Sequence, residues 1–373
     1  MDAGSRCLHA RLAGMAARRY GADHVAIGDR TVGPGEPVYV IAEAGSNHNR
    51  DLPTAKKLID VAAQAGADAV KFQTYRAEGL YSRATPTMSY LREGVLVGAQ
   101  ESVWEMIKRI EMPWEWHAEL ADHAGAAGVE FLSTPFEEQA VALLEQLPVP
   151  AYKIASYEIN HLPLIEACAT TGRPLILSTG MASLGDIERA LDTANTAGAT
   201  QIVLLHCAIN YPPRFEDLNL RAITTLASAF GVPIGWSDHS AGHTADLVAV
   251  TLGACMIEKH YTLSRDQDGP DHSFALEPGE LAGMVTAIRE AEASLGSPVK
   301  RMIGAEAEMF RLGRRSLVAA RSLPAGMAVQ RADIAVKRPG YGIAVHHLEL
   351  LVGRRPIRDI ADDEVLTWDL FAR

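Results

Sequence analysis

The 373-residue chain has only four cysteines, Cys7, Cys168, Cys207 and Cys255, and none is in a CxxC spacing. That excludes a disulfide framework or a zinc ribbon and fits a reducing cytoplasm. No apolar run approaches the ~20 residues of a membrane span. Residues 1–20 hold arginines and small residues without the continuous apolar core of a signal peptide, and read as a disordered extension. Positive charge is also short: 35 Lys and Arg against 46 Asp and Glu leave a net charge of −11. Such a balance argues against nucleic-acid binding. An anionic ligand would need local cations, so each lysine at a strand end gains weight. Hydrophobic content of 48% with mean hydropathy near zero fits a soluble globular protein.

What the chain does have is eight short apolar runs, each ending in a polar cluster. They are VYVIAEAGSNHN, DAVKFQTY, VEFLSTPF, AYKIASYE, PLILSTGM, QIVLLHCA, PIGWSDHS and ACMIEKHY. Stretches with helical apolar spacing lie between most of them, near 53–66, 114–127, 137–146, 163–171, 185–197, 218–230, 243–252 and 278–295. This alternation predicts a (β/α)8 TIM barrel. The length accommodates one of ~250 residues plus a small domain. Residues 1–35 form an N-terminal extension, 36–296 the barrel, 297–312 a linker and 313–373 a β-rich unit. That last unit carries ten Lys/Arg against seven Asp/Glu, a net of +3 that leaves −14 on the remainder. A basic cap beside an acidic barrel suggests electrostatic docking, within a chain or between chains. The polar connection 74–112 reads as a lid or rim over the mouth, with WEMIKRI as a short helix.

Catalytic groups of a barrel sit at the carboxyl ends of its strands, so the polar clusters converge on one mouth. Lys71 and Lys153 lie inside apolar strands, which is uncommon unless the charge is used or paired. Thr134, Ser156, Ser178 and Ser237 end neighbouring strands, beside Ser133 and Thr179. Two ammoniums ringed by hydroxyls and backbone N–H groups suit a phosphate ester. Lys–Glu pairing across the barrel is the competing reading. His239 and His260 end adjacent strands and can share one divalent ion. Glu43 lies beside them once the barrel closes. Histidine plus oxygen ligation favours a Mn or Fe type ion and leaves zinc open. Gln73, Glu158, Tyr211, Asp271 and His272 offer donors and acceptors for a polyhydroxylated ligand. NHN at 47–49 equally fits a left-handed turn.

The ordered set IAEAGSNHN, GADAVKFQTY, FLSTPF, YKIASYEINHLPLI, LILSTGMAS, LLHCAINYP, SDHS, EKHYTL, GPDHSFAL and RRSL resembles the sialic acid synthase family. The tail PAGMAVQRADIAVKRPGYGI resembles its antifreeze-like (SAF) domain. The resemblance implies a transferase that condenses phosphoenolpyruvate with an N-acetylated aminosugar to give a nine-carbon 2-keto acid and phosphate. It puts phosphoenolpyruvate on Lys71, Gln73, Thr134, Lys153, Ser156, Ser178 and Ser237. It puts the metal, Mn2+ first with Mg2+ or Co2+ as alternatives, on His239 and His260. Sugar-side roles fall on Glu43, Glu158, Tyr211 and Asp271. It further implies a domain-swapped homodimer in which Arg338 reaches the partner's site. The chain departs from the family at Ile209, where Asn or Ser is usual, and at Arg50, where NHNG is usual. Another phosphoenolpyruvate-condensing 3-deoxy keto acid synthase and a non-catalytic sugar-binding homologue are the alternatives.

Overall fold

The computed structural model describes residues 20–85, 89–92, 95–98 and 102–372. The chain divides into a unit ending at Gly296 and a second unit, Ser297–Arg373, which takes in the segment 297–312. The first begins with an antiparallel hairpin, β1 (Val25–Ile27) and β2 (Arg30–Val32). The barrel strands are β3 (Tyr39–Gly45), β4 (Ala69–Thr74), β7 (Glu130–Pro135), β8 (Tyr152–Ile154), β9 (Leu175–Ser178), β10 (Ile202–Cys207), β11 (Ile234–Asp238) and β12 (Met256–His260). They run parallel in the order β7-β4-β3-β12-β11-β10-β9-β8, and β7 and β8 lie side by side to close the ring. Between β4 and β7 stand a short hairpin, β5 (Ser89–Arg92) and β6 (Val95–Gly98), and a helix, Val103–Ile110, where WEMIKRI predicts one. The other residues of 86–101 lie outside the described residues.

Helices return each strand to the next. Local chemistry sets their ends. In α1 (Leu52–Ala65), Asp51 accepts a hydrogen bond from the Thr54 N–H at 2.9 Å, and Pro53 occupies the first turn. Gly66 stops the helix at φ 80°, a conformation that disfavours any residue with a Cβ. Its Ala55, Leu58, Ile59 and Ala62 face the sheet, fully buried. Burying each Leu or Ile contributes about 1.5–3 kcal/mol. The helices used below are this one and α2 (Thr244–Thr251).

Strand alternation places the site. Val40, Ala42, Val70, Phe72, Phe131, Ile154, Leu177, Leu204, Trp236 and Ile257 point out into the layer under the helices. Tyr39, Ile41, Ala69, Leu132, Ala151, Ile176, Val203, Leu205 and Met256 point into the barrel and form its apolar floor with Val25, Ile27 and Val32 of the first hairpin. The segment from Tyr20 is therefore part of the fold: the hairpin plugs the amino-terminal end, and the Ala26 N–H donates to Gln201 Oε1 at 2.9 Å. Residues 1–19, where disorder is expected, lie outside the described residues. Gly235 completes the floor because a Cβ there would lie 2.5 Å from both Leu205 Cδ2 and the Met256 carbonyl.

Two residues further along each strand, the inward side turns polar. Among the described residues no helix is long and apolar enough to cross a membrane. In the second unit, β13 (Ser316–Ala319) pairs antiparallel with β14 (Ile334–Lys337) over a small core of Leu317, Leu323, Ile343, Leu351, Ile360 and Leu366.

Candidate active site

Beyond the apolar floor, the inward positions are Glu43 on β3, Lys71 and Gln73 on β4, Thr134 on β7, Lys153 on β8, Ser178 on β9, Cys207 on β10, Ser237 on β11, and Glu258 and His260 on β12. With Ser156, Tyr211 and His239 they line one cavity, completed by Phe136, Ala155 and Tyr157. Eleven of the fourteen residues to which the resemblance gives a role thus share one mouth. Glu158 lies two residues past Ser156 in the turn that follows β8, and is buried. Asp271 comes in from the segment after β12. A Cβ on Gly45, at φ 50°, would lie 3.2 Å from Asp271 Oδ2, 3.3 Å from Glu43 Oε1 and 3.5 Å from Gln73 Nε2. A glycine lets the three side chains meet there. Arg338 is exposed just past β14 in the second unit.

The lysines are both cradled and paired. Lys71 Nζ lies 2.7 Å from Glu43 Oε2, donates to Thr134 Oγ1 at 3.0 Å and lies 3.6 Å from Glu258 Oε2. Lys153 Nζ donates to Ser178 Oγ at 2.7 Å and to the Ile154 carbonyl at 3.3 Å, with Glu258 Oε1 at 3.5 Å. Ser237 Oγ donates to Glu258 Oε1 at 2.9 Å, and Gln73 Nε2 to Glu43 Oε1 at 2.9 Å. The Gly180 N–H donates to Ser156 Oγ at 3.0 Å. The Lys–Glu pairing set against a phosphate cradle is therefore present. Each buried ammonium thereby has the counter-charge it needs.

Glu258 is a residue the sequence reading missed. It stands beside His260 in EKHY, and Met256, Glu258 and His260 alternate onto the barrel interior. Burial alone would raise its pKa. Lys153 and Lys71 overturn that and hold it well below the usual carboxylate range. Burial pushes Glu43 up despite Lys71, and lifts Glu158 to about 7 and Asp271 to about 6. The mouth thus holds one firmly ionised carboxylate and three near their protonation point. Such perturbation is characteristic of sites that move protons.

The two histidines meet as their strand positions predict, with ring centroids 5.2 Å apart. Tyr211 stacks on His239 at 4.1 Å, and Phe274 packs on His260 at 5.3 Å. His239 Nδ1 is anchored 2.7 Å from the Ala208 carbonyl. His260 Nδ1 is buried without a hydrogen-bond partner, 3.7 Å from Asp271 Oδ2. Burial, with His239 alongside, holds His260 well below its ordinary pKa and hence neutral. A neutral buried imidazole beside a second one fixed by a backbone carbonyl is a donor set that fits a divalent ion. Among the described residues no three His, Cys, Asp or Glu side chains converge as a complete metal centre. An ion here would take its other ligands from water or substrate.

The departures are also visible. Asn49 and Arg50 have φ of 48° and 53°, so NHNR does form a left-handed turn. Asn47 Nδ2 donates to the Tyr261 carbonyl and ties that turn to β12. Ile209 lies over Gly180, where a Cβ would be 2.3 Å from Ile209 Cγ2 and 2.9 Å from Ser156 Oγ. His272 bonds to Thr262 Oγ1 and Asn49 Oδ1 rather than to the cavity. Cys168, Cys207 and Cys255 are free thiols.

The model of the NeuB family matches residues 58–300, and that of the SAF domain residues 314–372. The chain belongs to the NeuB family. It is a synthase-family enzyme with a carboxyl-terminal SAF domain. The NeuB-family chain is 39% identical over 335 residues to the N,N'-diacetyllegionaminic acid synthase of Legionella pneumophila, covering 89% of this chain and 94% of that one. It is 41% identical over 362 residues to the spore coat polysaccharide biosynthesis protein SpsE of Bacillus subtilis, covering 92% and 96%. Among solved structures, the N-acetylneuraminic acid synthetase of Leptospira borgpetersenii superposes with a TM-score of 0.69 at 35% identity, over 78% of this chain and 96% of that one.

Proposed function

We propose that the chain condenses phosphoenolpyruvate with an N-acetylated aminosugar, releasing phosphate and forming a nine-carbon 2-keto acid. The observation that carries this reading is the ring itself. Lys71, Lys153 and the hydroxyls of Thr134, Ser178 and Ser237 surround one buried mouth, next to two paired histidines. An acidic protein that buries two ammoniums among hydroxyls has built a local anion site against its own net charge.

In this reading Lys71, Lys153, Gln73, Thr134, Ser156, Ser178 and Ser237 hold the phosphate and carboxylate. His239 and His260 would hold a divalent ion, Mn2+ first, which would supply Lewis-acid polarisation of the sugar's aldehyde oxygen. The enol carbon of phosphoenolpyruvate forms the new C–C bond to the aldehyde carbon, whose oxygen takes a proton. Water adds to the carbon bearing the phosphate, loses a proton, and the C–O bond to phosphate breaks. Glu43, Glu158 and Asp271, poised near neutrality, are suited to take and return those protons. Tyr211 walls the sugar side. Holding both substrates together contributes up to roughly 7–11 kcal/mol of the barrier reduction.

The homodimer belongs to the same reading, with Arg338 delivered to the partner's sugar site. Met302, Ile303, Met309 and Phe310, all exposed in the single chain, supply apolar surface for such an assembly. The test is phosphate release from phosphoenolpyruvate with a panel of mannosamine-type and diacetamido sugars. Release with one sugar and none with phosphoenolpyruvate alone supports the reading. No release with any, in the presence of Mn2+, refutes it.

A further inference from the structure

Charged residues are out of place on the helix-facing side of a barrel strand. On β11 and β12 that side carries Trp236 and Ile257, yet the next residues of the same parity are Asp238 and Lys259. Both are fully buried, and they are register partners. Lys259 Nζ lies 2.5 Å from Asp238 Oδ2 and donates to the Ser240 carbonyl at 2.5 Å. Asp238 accepts from the Ser240 N–H at 2.8 Å and from Ser240 Oγ at 3.0 Å. From the first turn of α2, Asp246 closes the cluster, also fully buried. Burial, with Asp238 beside it, raises its carboxyl well above the usual carboxylate range, and a side-chain bond between the two carboxyl groups adds to the rise.

Such a cluster needs a reason. Replacing a buried ion pair by packed apolar side chains is often neutral or stabilising, so the pair does not explain itself by stability. Its connectivity does offer one. Asp238 and Ser240 flank His239, and Lys259 precedes His260. One ammonium therefore grips a side chain just before one histidine and the backbone just after it, from the residue next to the other histidine. The geometry cannot change between His239 and His260 without breaking a buried charge-assisted bond.

We infer that the Asp238–Lys259–Ser240 clamp, backed by Asp246, is a positioning device that holds His239 and His260 at the separation a divalent ion requires. This rests on the metal role given to the two histidines above. The clamp touches neither substrate nor metal; it acts through the strand ends that carry the ligands, and such outer partners typically carry about 10–100-fold of metal affinity.

The test is Mn2+ binding, followed by the electron paramagnetic resonance signal of free Mn2+ and by calorimetry, on the full chain without substrates. Wild type should bind, and His239→Ala should abolish binding. The double variant Asp238→Asn with Lys259→Met removes both charges together, so neither member of the pair is left as an unpaired charge. It should fold and bind Mn2+ about 10–100-fold more weakly. Ser240→Ala, which removes one hydrogen bond and no charge, is the milder variant and should shift affinity in the same direction. Tyr152→Phe removes a hydroxyl bonded to Glu145 at 2.7 Å, away from the mouth, and controls for general loss of stability. Its Mn2+ affinity should stay within about twofold of wild type, against the tenfold or more expected of the clamp. If both clamp variants bind Mn2+ as wild type does, the inference is overturned while the metal reading stands. If wild type shows no histidine-dependent binding, the metal reading fails and takes the clamp with it.

Discussion

Among the described residues Glu258 is the single carboxylate within 3.6 Å of both mouth lysines, and its removal has an unusual expected signature. Glu258→Gln keeps the shape and the bond from Ser237, and takes away the charge. Lys71 retains Glu43 at 2.7 Å. Lys153 keeps only the Ser178 hydroxyl and the Ile154 carbonyl. At 3.5 Å and an effective dielectric of about 20, the lost attraction is roughly 5 kcal/mol. Breaking a buried pair by removing one partner costs about 3–5 kcal/mol of stability. For a barrel of this size that lowers Tm by roughly 5–10 °C. An anion should reverse the loss, because the orphaned ammonium gains a counter-charge and Glu258 no longer repels the ligand. The assay is a thermal melt with and without saturating phosphoenolpyruvate. The variant should melt lower than wild type alone, and its ligand-induced rise in Tm should exceed that of wild type. A variant that melts lower and gains no more from phosphoenolpyruvate than wild type does would refute this electrostatic account of the mouth.

Lys71→Met and Lys153→Met should each raise KM for phosphoenolpyruvate at least tenfold and KM for the sugar far less, since one charge-assisted bond is worth about 1.5–3 kcal/mol; equal rises in both would indicate general damage. Glu158 has a pKa of about 7 in the fold against an ordinary 4.5. The folded state therefore holds its proton where the unfolded state has lost it, and stability falls as pH rises from about 4.5 through 7, by roughly 3 kcal/mol. Glu158→Gln should melt higher relative to wild type at pH 8 than at pH 5, and a gap independent of pH would contradict the burial argument. Arg338→Ala and His239→Ala, each inactive, should regain activity when mixed under subunit exchange, because one mixed dimer carries one complete site; exchange confirmed by mass without activity would place Arg338 in its own chain's site.

Much of this was legible because a barrel strand writes its environment in period two. Apolar residues at 69, 70 and 72 mark β4 as buried on both faces. Lys71 and Gln73 then stand out as inward polar positions. The same period would have exposed Glu258, which was hidden by its neighbour His260. The opening hairpin was harder to see. Val25, Ile27 and Val32 carry the alternation, but strands of three residues give too short a signal to stand against the surrounding glycines. The Asp238–Lys259 clamp was not legible, because nothing in SDHS or EKHY says that the two charges face each other under a helix. That pairing depends on strand register, which only the closed barrel fixes.

The account stands most directly on the fate of the bridging oxygen of phosphoenolpyruvate. The measurement uses phosphoenolpyruvate labelled with 18O at that position, incubated with the enzyme, Mn2+ and an aminosugar that supports turnover, with both products read by mass spectrometry. The account predicts labelled phosphate formed in step with an unlabelled nine-carbon keto acid, and none without the sugar. Phosphate released without sugar consumption, or unlabelled phosphate with the 18O left in pyruvate, would contradict it.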